Sequence, residues 1–180
     1  MKKAVASVTV MAWDISNVMN ASGENQRIED SMKKKIYISG KIGEEEVLSE
    51  ETRQKFAQAE AKMRMLGYDV FNPTTSGLGE EAMRRAKANG TTFYKEILLL
   101  DLEQEKLCDA IILLPDYTQS PGARVEFDYA QAIGLEIKFA DRNHAWCYLS
   151  WRYGEMTGHV NTPKARQEYI DANINNVWIP

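Results

Sequence analysis

The sequence predicts an α/β fold: a mainly parallel sheet of four to five strands, doubly wound between flanking helices. Three observations predict it. The uninterrupted apolar run Ala110-Ile111-Ile112-Leu113-Leu114 suits a strand buried on both faces by crossover helices. Short β-branched or aromatic stretches alternate with longer segments of helical spacing, the pattern of repeated βαβ units. Gly67 and Gly134 each follow such a segment where a helix stop is needed.

The elements follow in order. Ile36-Tyr37-Ile38, running into Ser39-Gly40, reads as a first buried strand entering a tight turn. From about residue 44 to 66, Leu48, Phe56, Ala59, Met63 and Leu66 recur at helical spacing among charged residues. Tyr68 to Phe71 supplies a second strand, closed by Asn72-Pro73, where proline cannot continue a central ladder. Residues 80 to 88 look helical but polar and end at Asn89-Gly90, so this hairpin is expected to be lid-like. A further helix from about Thr92 to Leu107 is expected to turn Phe93, Ile97, Leu100 and Leu107 inward. Asp109 to Leu114 is the third strand, a helix from about Gly122 to Ile133 follows, and Glu136 to Phe139 forms the fourth strand. The resulting order, β-α-β-α-β-α-β, is Rossmann- or flavodoxin-like.

Three regions are expected: a polar, poorly periodic arm over 1–31, an α/β domain over 32–140, and an aromatic-rich extension over 141–180. In the extension, Trp146, Tyr148, Trp151, Tyr153 and Trp178 crowd together, and Pro163 to Val177 reads as one more helix. Such aromatics are expected to pack on the domain or on a second subunit, since large rings dominate cores and interfaces.

A formal net charge of -4 argues against binding to a nucleic-acid polymer, whose affinity rests on clustered Lys and Arg. The run Lys33-Lys34-Lys35 reads as a solvated edge. No apolar run reaches the roughly 18 to 20 residues of a membrane span, and Asp14 interrupts the one stretch that imitates a signal peptide. Cys108 and Cys147 lack paired spacing, and His144 and His159 lack metal-binding company, so no disulfide framework, metal site or cofactor is expected. The expected setting is a reducing cytoplasm.

Open parallel sheets bind ligands beyond the carboxyl ends of their strands. Three loops qualify: Ser39 to Gly43, Asn72 to Ser76, and Asp116 to Gly122. The third leads into a helix whose free N–H groups favour an anion near Ser120 and Gly122. Glu126 lies four residues inside that helix. For a lone glutamate the simple explanation is dipole compensation.

The neighbouring residues shift that balance. Asp109 to Pro115, Ser120-Pro121-Gly122-Ala123-Arg124-Val125-Glu126 and Ala130 to Gly134, together with Tyr37 to Ile42, Gly67-Tyr68, Asn72-Pro73 and Asp101, resemble the nucleoside 2-deoxyribosyltransferase superfamily, and its short DUF4406 branch most closely. The resemblance covers roughly residues 33 to 140. It implies that Glu126 is a nucleophile attacking the anomeric carbon of a (deoxy)ribose, with a glycosyl-enzyme intermediate. It implies that Asp101, 25 residues upstream, assists the departing base, and that Ser120 meets a 5′-phosphate. Tyr37, Ser39, Gly40, Lys41, Ile42, Asn72, Asp116, Gly122 and Arg124 complete the expected substrate-binding set. The first loop departs from the family pattern at Ile42-Gly43, and the aromatic extension has no counterpart in short members.

The expected ligand is therefore a small nucleoside or its 5′-monophosphate, and the expected protein a homodimer or higher homo-oligomer, as is usual in that superfamily. The competing expectation is a non-catalytic nucleotide-sensing module, in which Glu126 only hydrogen-bonds ribose hydroxyls. A dinucleotide-dependent oxidoreductase is excluded, because Ser39-Gly40-Lys41-Ile42-Gly43 lacks the GxGxxG spacing.

Overall fold

The computed structural model describes residues 33–43, 48–158 and 162–180. The expected N-terminal arm over 1–31 lies outside the described residues, as do 44–47 of the first expected helix. Residues Lys34–Pro180 form one compact unit.

Four strands, β1 (Lys35–Ser39), β2 (Asp69–Phe71), β3 (Ala110–Leu113) and β4 (Glu136–Phe139), form an all-parallel sheet in the order β2-β1-β3-β4. Six helices accompany it among the described residues: α1 (Glu50–Met65), α2 (Leu78–Asn89), α3 (Phe93–Glu105), α4 (Pro121–Ile133), α5 (Arg142–Thr157) and α6 (Pro163–Val177). The register sets Tyr37 beside Phe71 on one side and Ile111 on the other, and Ser39 beside Leu113.

Because side chains alternate across a strand, this register sorts the core into two layers. Ile36, Ile38, Val70, Ala110, Ile112 and Leu114 meet Phe56 and Met63 of α1 on one face. Tyr37, Ile111, Leu113, Ile137 and Phe139 meet Ala130 of α4, Ala145 and Leu149 of α5, and Ile170 and Ile174 of α6 on the other. The chain steps from β1 to β2 in one direction and from β2 through β3 to β4 in the opposite one. Right-handed crossovers then require α1 to lie on the face opposite to α4. That reversal separates the loops after β1 and β3 and opens a crevice at their carboxyl ends.

Local chemistry fixes the ends of the elements. Ser49, Thr92, Ser120, Asp141 and Thr162 each cap a helix by accepting a backbone N–H three residues on. Gly134 ends α4 at φ 80°, a left-handed conformation that favours glycine.

The extension is part of this unit. Trp178 pairs in parallel with Phe139, and the Ile179 N–H donates to the Phe139 carbonyl at 2.9 Å, so the chain end covers the open edge of β4. The buried Lys138 donates to the Asn176 carbonyl at 2.5 Å and to Glu136 at 2.8 Å, tying β4 to α6. Tyr148 packs on Phe127 and Phe139 at ring separations of 6.2 and 5.3 Å. Tyr148 and Trp178 pack on the domain, whereas Trp146 and Trp151 are exposed on this chain.

Two further expectations are corrected. Phe93 and Leu107 do not turn inward; they are 40% and 59% exposed, and the buried side of α3 carries Glu96, Leu100, Asp101 and Glu105 instead. Leu66 is likewise exposed, because α1 stops at Met65 and its buried residues are Phe56 and Met63.

Candidate active site

The site begins with β1. Its fully buried Tyr37 ring stacks on Phe71 at a centroid distance of 5.5 Å and an interplanar angle of 11°, which fixes where the hydroxyl points. Two residues on, Ser39 projects from the same face of the strand. Across from them stands α4. The Tyr37 hydroxyl donates to Glu126 Oε1 at 3.1 Å, and the Ser39 hydroxyl donates to Oε2 at 2.5 Å. Both carboxylate oxygens are thus held by neutral donors, and Glu126 is 6% exposed.

No cation bonds to this carboxylate among the described residues, so its charge is opposed by burial alone. Burial pushes Glu126 up to about 7, against the lowering effect of the Ser39 and Tyr37 hydrogen bonds. Its titration is thereby moved out of the ordinary carboxylate range toward neutral pH. The Tyr37 phenol is raised well above its ordinary value by burial and by the neighbouring acids, which keeps it a donor.

A third layer comes from α3. Asp101, 6% exposed, is raised to about 8 by burial and then by the Glu126 charge, with Tyr37 acting in the lowering direction. One turn further, Glu105 is 0% exposed and raised to about 9 by burial, Glu126 and Asp101 in that order. Asp101 Oδ1 and both carboxylate oxygens of Glu105 are buried without a hydrogen-bond partner. The group therefore combines one carboxyl that titrates near neutral pH, Glu126, with two that burial holds higher still. Among the described residues no group of three or more His, Cys, Asp or Glu side chains is arranged to hold a metal ion.

The loops around this centre have other duties. Gly40 is buried, and a Cβ there would lie 3.0 Å from Leu114 Cβ, so glycine is what lets the loops after β1 and β3 approach. Asp116 accepts the Lys41 N–H at 3.2 Å and pairs with Lys55 of α1, which also donates to the Lys41 carbonyl at 2.7 Å. Asp116 thus ties two loops and a helix together, and the Lys41 side chain is left exposed. Ile42 is partly buried against the α1-side core. Asn72 accepts from the Thr74 N–H and hydroxyl at 3.0 and 2.7 Å and donates to Glu60 at 2.8 Å, capping the turn after β2. Both ends of its amide are engaged there.

At the start of α4, Ser120 accepts the Ala123 N–H at 3.3 Å, and the Arg124 N–H returns to the Ser120 carbonyl at 3.1 Å. The Gly122 N–H heads the helix without an intrahelical acceptor. A Cβ at Gly122 would lie 3.3 Å from the Tyr94 hydroxyl, so that phenol stands over the first turn of α4. Arg124 is exposed on the same turn.

Of the expected residues, the structure joins Tyr37, Ser39, Asp101 and Glu126 into one buried group. Gly40, Lys41 and Asp116 shape its rim, and Ser120, Gly122 and Arg124 form the helix start. Glu105, Lys55 and Tyr94 escaped sequence reasoning. Only Glu105 carried a signal, its i+4 spacing from Asp101, which places both carboxyls on one helix face.

Neither the curated proteins nor the solved structures include a match to the chain. The family described as Domain of unknown function (DUF4406) matches residues 34–139, from the residue before β1 to the last residue of β4. That span holds the whole sheet and every residue of the buried acid group, and over it the chain belongs to the DUF4406 family.

Proposed function

We propose that this protein cleaves or transfers at the N-glycosidic bond of a (deoxy)nucleoside or its 5′-monophosphate, as the resemblance to nucleoside 2-deoxyribosyltransferases implies. One observation carries the reading: a near-buried carboxylate, Glu126, held through both oxygens by Tyr37 and Ser39 at the switch point of the sheet, with the acid Asp101 beside it. A lone carboxylate near a helix start ordinarily does no more than complement the dipole. This one faces two hydroxyls and another acid.

In the proposed reaction a Glu126 oxygen attacks the anomeric carbon while the C–N bonding pair leaves with the base. Asp101 gives its proton to the departing ring nitrogen, and a glycosyl ester remains on Glu126. Water then attacks the same carbon, its proton passes to Asp101, and the ester C–O bond breaks to regenerate the Glu126 carboxylate. A second base in place of water makes the reaction a transfer. Hydrogen bonds from Tyr37 and Ser39 hold Glu126 in line and favour its ionised form.

The start of α4 supports a phosphorylated substrate: the Gly122 N–H, the Ser120 cap and the Tyr94 hydroxyl converge where a helix dipole favours an anion. Assembly into a homodimer or larger oligomer is part of the same reading, with exposed Trp146 and Trp151 as a contact surface. No helix among the described residues is long and apolar enough to cross a membrane.

The test is chromatographic detection of free base after incubation with ribo- and deoxyribonucleosides and their 5′-monophosphates, with and without an acceptor base. Release by the wild type and none by Glu126→Ala is the expected result. Dependence on phosphate or acceptor names the subclass. No release from any substrate, with a nucleotide still raising the melting temperature, overturns the enzyme in favour of a sensor.

A further inference from the structure

Glu105 has no part in the reaction just described, and its surroundings are hard to explain by stability. It is fully buried at the inner end of α3, and neither carboxyl oxygen has a hydrogen-bond partner. An apolar side chain of similar size would be better tolerated in such a place. The titratable groups around it are Tyr37 from β1, Glu126 from α4, Asp101 on its own helix, and Cys108 just past the end of α3. Beyond Cys108 stand Lys35, Asp109 and Asp69. The Tyr37 hydroxyl already donates to Glu126.

Asp101 lies one turn away, at the i, i+4 spacing that sets Cβ atoms about 5–6 Å apart. Its Oδ1 is also buried and unpartnered. In the resting enzyme both groups are acids, and the Glu105 O–H meets no carboxylate on Asp101. The proposed reaction changes this. Before it, the buried group carries one negative charge, on Glu126. After the base departs with the Asp101 proton, Glu126 is a neutral ester and the charge sits on Asp101.

We propose that Glu105 is a positioning residue whose neutral carboxyl donates a hydrogen bond to the Asp101 carboxylate as it forms. Glu105 keeps its proton throughout, and Asp101 alone gives one to the leaving nitrogen. The new bond is charge-assisted and absent in the ground state, so it lowers the barrier rather than tightening substrate binding. This inference rests on the glycosidic reading.

The test compares wild type with Glu105→Leu, Glu105→Met and Glu105→Gln on two substrates. One is an ordinary purine nucleotide, whose base must be protonated to leave. The other is its 7-methylpurine counterpart, whose base is already cationic. On the ordinary substrate the apolar variants are expected to lose about 10- to 100-fold in kcat with KM within about 2-fold, the worth of one hydrogen bond to a charged group. On the 7-methyl substrate the loss is expected to vanish. Glu105→Gln, which keeps an N–H donor, is expected to recover most of the rate. Carboxyl 13C titration reads the contact without turnover: the Asp101 midpoint should rise in Glu105→Leu and return in Glu105→Gln. Equal losses on both substrates, no loss on either, or an unmoved Asp101 midpoint would overturn the proposal while wild-type cleavage stands. A wild type that cleaves nothing fails the glycosidic reading itself.

Discussion

Replacing Glu105 by Gln is expected to stabilise the protein in a manner set by pH. In the fold this carboxyl is 0% exposed and titrates at about 9, against the ordinary 4.5 of an unfolded chain. Between those values the unfolded state releases the proton and the native state keeps it. The unfolded state then binds fewer protons, so stability falls as pH rises through that window. Each unit of pH inside it costs about 1.4 kcal/mol. At pH 7, 2.5 units above 4.5, Glu105 therefore costs the fold about 3 kcal/mol, and below 4.5 it costs nothing through this route. The amide has no proton to hold. Urea unfolding of both proteins at pH 4, 5.5, 7 and 8 should give coincident curves at the acid end and a widening gap above it. With an m-value of about 2 kcal/mol/M, the midpoint of Glu105→Gln should stand about 1.5 M higher at pH 7. A gap that does not vary with pH would show that Glu105 does not titrate as a buried acid, and the reasoning about the whole acid group would fail with it.

Other perturbations test other contacts. Ser39→Ala removes the 2.5 Å donor that lowers Glu126, so the acid limb of the kcat/KM profile should move up by about one pH unit, with the loss at pH 6 shrinking as pH rises; an unmoved limb would mean that Glu126 is not the titrating nucleophile. Glu126→Gln should abolish base release and leave nucleotide affinity within about tenfold by calorimetry, since one oxygen acceptor and the shape remain. Gly40→Ala sets a Cβ 3.0 Å from two atoms of Leu114 and should cost about 1–3 kcal/mol of stability in urea unfolding. Removing residues 178 to 180 uncovers β4 and takes away the buried Ile179 side chain, which should cost about 1.5–3 kcal/mol and promote concentration-dependent association in light scattering.

The sheet was readable because its strands are short and simply marked. The run from Ala110 to Leu114 has no polar interruption, β4 matches residues 136 to 139, and Thr162-Pro163 announces α6 at its observed first residue. Helix α5 escaped prediction: Tyr148, Leu149, Trp151 and Tyr153 spread apolar rings around the helix, so no stripe of helical period stands out. Its one clear signal, Asp141 capping the His144 N–H at 2.9 Å, is local. At the site, Glu126, Asp101, Tyr37 and Ser39 were singled out through the segments that resemble the superfamily. The bond geometry was not. That Ser39 and Tyr37 would each take one oxygen of Glu126 depends on how α4 lies across β1, a tertiary fact. Asn72 and Asp116 illustrate the opposite failure: polar residues at strand ends suit ligands and turn chemistry equally well, and here turn chemistry and Lys55 occupy them.

The misreading of α3 is more instructive than the elements that agreed. Periodicity assigns the inward face of a helix to its large apolar residues, and on that rule Phe93 and Leu107 belong inside. The fold exposes both and buries Glu96, Asp101 and Glu105 in their stead. For Glu96 the reason is structural, since Asn89 and Thr91 hydrogen-bond its carboxylate and hold its pKa below the ordinary value. Glu105 has no such partner and Asp101 leaves one carboxyl oxygen without one, and burial raises both. On this helix face the apolar rule is therefore reversed. Of the reversed positions, Asp101 and Glu105 are the two that feel the Glu126 charge. Stability alone favours the apolar arrangement, whereas the proposed reaction, with a nucleophile that ionises beside an acid that stays protonated, needs carboxyls held away from water. The conflict between pattern and burial on α3 is the kind of local inconsistency that functional sites tolerate, and it fits the proposed reaction.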